Sequence, residues 1–75
     1  MPSQLIAGEV VDVNGKFLTF KTNEGQEIEL SIEEIMLKLI AFKGKPEELV
    51  QAGTIKLGIY FGTRGAYCIN YAQFA

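Results

Sequence analysis

In "EVVDVNGKFLTF", residues 9 to 20, two runs of alternating apolar and polar residues flank Asn14-Gly15. Asn-Gly between β-rich runs predicts a hairpin, because the favoured tight turn needs positive φ at its centre. A two-residue turn there pairs Val13 with Lys16, Val11 with Leu18 and Glu9 with Phe20. The opposite face then pairs Asp12 with Phe17, Val10 with Thr19 and Gly8 with Lys21. Next, "TNEGQ" predicts a three-residue loop at Asn23-Glu24-Gly25, with the glycine in the left-handed position of a bulge. That loop sets Phe20 against Ile28 and Leu18 against Leu30, with Lys21 against Glu27 and Thr19 against Glu29 on the outside. A slip of one residue would break this sorting. The two hairpins agree on one core face: Val11, Leu18, Phe20, Ile28 and Leu30.

From Ser31 the period changes from two to 3.6. Ser31 suits an N-cap, Glu34 three residues on suits a capping box, and Leu30 can staple to Ile35. A helical wheel gathers Ile32, Ile35, Met36, Leu39, Ile40 and Phe42 on one stripe, and leaves Leu37 and Ala41 for solvent or a partner. Gly44 breaks the helix. Pro46 suits the first turn of a second, short helix, with Glu47 and Glu48 near its positive end and Gly53 as its stop.

The chain closes on "LGIYFGTRGAYCINYAQFA". A three-residue loop Thr63-Arg64-Gly65 sets Phe61 against Tyr67, Ile59 against Ile69 and Leu57 against Tyr71. Lys56, Gly58, Tyr60, Cys68, Asn70 and Ala72 take the other face, which makes most of these rings core and Tyr60 the exception. The order is three strands, a helix, a short helix and two strands. It predicts a single small α+β domain over residues 1–75, built either on a five-stranded antiparallel sheet or as a barrel. The element order resembles that of an oligonucleotide/oligosaccharide-binding (OB) barrel, with an SH3-like barrel close behind.

Length sharpens the picture. A chain of 75 residues buries only about 60–65 % of its unfolded surface, and small scaffolds usually need a staple. Cys68 is the only cysteine and histidine is absent, so neither a disulfide nor an ordinary zinc site is at hand. Tight packing or self-association must compensate, and a homo-oligomer is expected. A lone cysteine and a start, "MPSQLIAGEVVDV", without a basic segment and long apolar run point to the cytoplasm. No run reaches the roughly 20 apolar residues of a membrane span.

Without histidine there is no base tuned near neutrality and no Ser–His or Cys–His pair, so no catalytic residue and no cofactor is assigned and an enzyme is not expected. Cys68 reads as a small half-buried apolar residue, since its expected neighbours Tyr60 and Asn70 are neutral. Glu27 and Glu29 read as the solvated face of a sheet, and the pairs Glu33/Glu34 and Glu47/Glu48 as helix starts. Arg64 between two glycines at a hairpin tip offers a guanidinium to an anion, although ordinary turn chemistry explains the glycines. A net charge of −2 disfavours bulk attraction to phosphate backbones.

What remains after each core face is filled is Val10, Phe17, Leu37, Ala41 and Tyr60, and leftover apolar surface on a small domain marks an interface. Val10, Phe17, Thr19, Lys21, Leu37, Tyr60 and Arg64 are therefore the expected binding residues. The expected role is an accessory or regulatory module acting through protein–protein contact. Single-stranded nucleic acid, with Phe17 and Tyr60 stacking on bases and Lys16, Lys21, Lys56 and Arg64 at phosphates, is the alternative.

Overall fold

The computed structural model describes residues 3–75. Five strands form one open antiparallel sheet: β1 Gln4–Asn14, β2 Phe17–Thr22, β3 Glu27–Ser31, β4 Ile55–Phe61 and β5 Tyr67–Phe74. Their spatial order is β3-β2-β1-β4-β5. One short helix, α1 (Ile32–Lys38), and a 3-10 helix (Pro46–Gln51) connect β3 to β4. The sheet curls until its two end strands touch, although no backbone ladder joins them. Its inner face carries Val10, Leu18, Phe20, Ile28, Leu30, Ile55, Leu57, Ile59 and Ile69, and Ile35, Leu39 and Leu49 close over it from the helical segment.

Both three-residue loops form as the sequence predicts. Phe20 faces Ile28, Leu18 faces Leu30, and Lys21 and Thr19 face Glu27 and Glu29 outside. Phe61 faces Tyr67 and Ile59 faces Ile69. Gly25 and Gly65 supply the left-handed residues at φ +91° and +79°.

The expected register fails in β1 and β5, for one shared reason. The first turn uses Gly15-Lys16, pairing Asn14 with Phe17 and Val13 with Leu18. Farther along, Val10 faces Phe20, with Val11 as an extra, bulged residue. The even-numbered Ile6, where β1 meets β4, and Val10, opposite Phe20, face the core, yet the odd-numbered Val13 must face Leu18. Only an inserted residue reconciles the two halves. Val10 therefore replaces Val11 in the core and is 1 % exposed. In β5 the bulged residue is Asn70: Tyr67 and Ile69 keep the expected partners, but Ala72 now faces Leu57 and Tyr71 faces Gly58. Tyr71 thereby moves from the core face to the outer one.

Helix α1 is capped as predicted, with the Glu34 N–H donating to Ser31 Oγ at 3.4 Å. The expected capping box is only half formed: the Glu34 carboxylate does not turn back to the cap, and its Oε1 instead accepts the Ile69 N–H at 3.3 Å and ties α1 to β5. The helix stops earlier than the wheel requires. Leu39 leaves helical geometry at ψ 67°, and its N–H still bonds to the Ile35 carbonyl at 2.9 Å. A tight turn then lets Phe42 pack on Phe74, ring centroids 6.0 Å apart. Ile40, on the core stripe only if the helix continued, is 80 % exposed. The second helix is a 3-10 helix that begins at Pro46, with the Lys45 N–H held by Glu48 Oε1 at 2.6 Å, and Gly53 follows it at φ +93°.

Candidate interaction surfaces

The seven expected binding residues do not converge. Val10 belongs to the core. Phe17, Thr19 and Lys21 lie on the outer face of β2, where Phe17 is 49 % exposed. The pairing surrounds them with acid: Thr19 sits between Asp12 and Glu29, and Lys21 between Glu9 and Glu27. One lysine among four carboxylates makes this face anionic rather than phosphate-seeking.

Tyr60 and Arg64 line an open cleft of about 670 Å³ at the β4–β5 tip, together with Glu34, Phe61, Cys68 and Asn70. Tyr60 faces Cys68 across the ladder, and Phe61 meets Tyr67 edge-on at 5.2 Å. Cys68 raises the Tyr60 hydroxyl above the ordinary tyrosine value, first through the charge of its thiolate and then through hydrogen bonding. Partial desolvation and the Glu34 carboxylate push the same way. Each cause penalises a second negative charge in one place. Among the described residues no group of three or more histidine, cysteine or acidic side chains is placed to hold a metal ion.

Leu37, 68 % exposed, sits on the last turn of α1. A second apolar surface follows it in the chain, one that periodicity alone does not reveal. Beyond α1, Lys38 to Ala41 and the C-terminal half of β5 enclose a groove of about 410 Å³, walled by Leu39, Ile40, Ala41, Tyr71, Ala72 and Phe74. On the outer face, Leu5 pairs with Gly58 and Gly58 with Tyr71, so two apolar side chains flank a residue that has none. Leu5 is 73 % exposed. Composition held one signal for this surface: β5, "YCINYAQF", contains no charged residue. No helix among the described residues is long and apolar enough to cross a membrane.

No family model, curated protein or solved structure matches the chain.

Proposed function

We propose that this chain is a non-enzymatic interaction module that acts through protein–protein contact and self-associates, in the manner of an accessory or regulatory subunit of the cytoplasm. The observation that carries the reading is the apolar surface left uncovered between the end of α1 and β5, where Ile40 is more than half exposed and Tyr71 and Leu5 extend the patch over the sheet. Contiguous apolar surface on a small domain is costly in water, and covering it contributes roughly 25 cal/mol per Å². Sedimentation velocity from low to high micromolar protein tests the reading. The expected result is a concentration-dependent dimer or larger species, and a strict monomer throughout would overturn it.

Single-stranded nucleic-acid binding has one specific observation in its favour. The strand order, with β3 and β5 touching, is compatible with an OB-like arrangement of the open sheet, and Phe17 is exposed on β2 beside Lys16. The carboxylates of the same face argue against it. Binding of a labelled single strand that falls steeply with salt and disappears in Phe17→Ala would reverse this ranking.

A further inference from the structure

We propose that the C-terminal half of β5 is an open strand edge at which two copies of this chain pair antiparallel, about a two-fold axis centred on Gln73. The proposal rests on the self-association reading and specifies its geometry.

The direction of the backbone groups follows from the hydrogen bonds at the two ends of β5. The Gly62 N–H donates to the Ala66 carbonyl and the Ala75 N–H to the Thr54 carbonyl, so Ala66 and Ala75 turn their backbone groups toward β4. Alternation back from Ala75 turns Gln73 and Tyr71 toward β4 as well, and Ala72 and Phe74 away from it. At the other end Ile69 also turns away, and its N–H is taken by Glu34. Past Ile69 that protection stops. The N–H and C=O groups of Ala72 and Phe74 face the groove beside Leu39, Ile40 and Ala41, and among the described residues no donor or acceptor meets them.

The two end strands differ in how they discourage pairing. β3 is five residues long, carries Glu27 and Glu29, and lies against β5 and α1. β5 is eight residues long, with no charge, proline or glycine, and its bulge at Asn70 lies upstream of the open portion. Lysine, proline and charge are ordinary devices against edge-to-edge association, and the Tyr71–Phe74 segment has none of them.

A second copy fits this edge better than an unspecified strand does. Every other strand brings charge: Glu9 and Asp12 on β1, Lys21 on β2, two glutamates on β3, Lys56 on β4. Although the chain carries a net −2, the groove lining contains one charged side chain, Lys38, and no carboxylate. Two copies can therefore meet there without carboxylate repulsion. With the axis at Gln73, Ala72 of one copy exchanges both backbone hydrogen bonds with Phe74 of the other, and the symmetric pair does the same. All the open groups are then satisfied, as a self-complementary two-fold interface requires. The exposed Ile40 side chains are brought to the same seam.

In this register the two Gln73 residues are directly opposite as a non-hydrogen-bonded pair, with Cα atoms about 4.5 Å apart. That separation suits a disulfide. Gln73→Cys in a Cys68→Ser background is expected to form an intermolecular disulfide rapidly under mild oxidation, whereas Leu5→Cys in the same background is not. Gln73→Lys places like charges face to face, and should weaken the dimer at least about tenfold in sedimentation velocity while its far-ultraviolet dichroism stays unchanged. A wild-type dimer that persists in Gln73→Lys and dissociates in Leu5→Lys would overturn the edge pairing and leave self-association standing through the outer face. A wild-type protein that stays monomeric would overturn both.

Discussion

At the scale of single residues, the charge of Cys68 acts on Tyr60. An acid whose proton is held more tightly in the fold than in the unfolded chain stabilises the fold below the unfolded pKa, about 10 for tyrosine, and loses that contribution as pH rises through the raised folded value. Because Tyr60 is shifted upward, the fold is expected to lose stability on the alkaline side of about pH 10. Removing the thiolate in Cys68→Ala should bring the Tyr60 titration down toward the ordinary value. Alkaline titration of tyrosinate absorbance, with Tyr60→Phe to assign its share among three tyrosines, measures this directly. An unmoved midpoint in Cys68→Ala would refute the assignment of cause. The neighbouring glycines show how tightly the same ladder is built. A Cβ on Gly58 would stand 2.5 Å from Asn70 Oδ1, and one on Gly62 2.8 Å from the Cys68 sulfur.

Elements show where sequence reasoning succeeds and where it stops. Turns are local, and the three-residue loops closed by Gly25 and Gly65 follow from a handful of residues. The N-cap at Ser31 is legible for the same reason. Bulges answer to two partners at once. β1 needs an extra residue at Val11 because its ends face different strands, and pairwise sorting against β2 alone gives no hint of it. Val10 is thus assigned to a binding face when it belongs to the core, and Tyr71 to the core when it belongs to the surface. Of the expected binding residues, Phe17, Leu37, Tyr60 and Arg64 lie on the surface but at three separate places, whereas Ile40 was hidden by an assumed extra helical turn. The 3-10 helix gives the clearest test at this scale. It packs against β1, and Leu49 is its one buried side chain. Leu49→Ala should cost about 2–5 kcal/mol, the usual range for deleting a buried leucine, and chemical denaturation would read it as a lower midpoint. A loss below about 1 kcal/mol would mean that the 3-10 helix contributes little to the core.

For the whole molecule, smallness and association are linked. The core is one layer of aliphatic side chains and Phe20 between a curled sheet and two short helical segments, with no disulfide to stiffen it. A 75-residue domain of this kind sits close to the stability threshold unless something binds the folded state. Pairing at β5 would do that, since only the folded chain presents the groove and the strand edge together. Folding then depends on mass action. If two chains unfold from one dimer, a hundredfold rise in concentration adds about 1.4 kcal/mol per chain. At this chain length that corresponds to a rise in Tm of about 5–10 °C. Gln73→Lys should flatten the dependence, starting from a low-concentration Tm slightly below that of the wild type, because the new charge is exposed on β5 and touches none of the core but faces Lys56 across the β4–β5 ladder. Scanning calorimetry of both proteins over the same concentrations separates the cases. A wild-type Tm that does not move would show that the fold is complete in a single chain and gains no stability from a second copy.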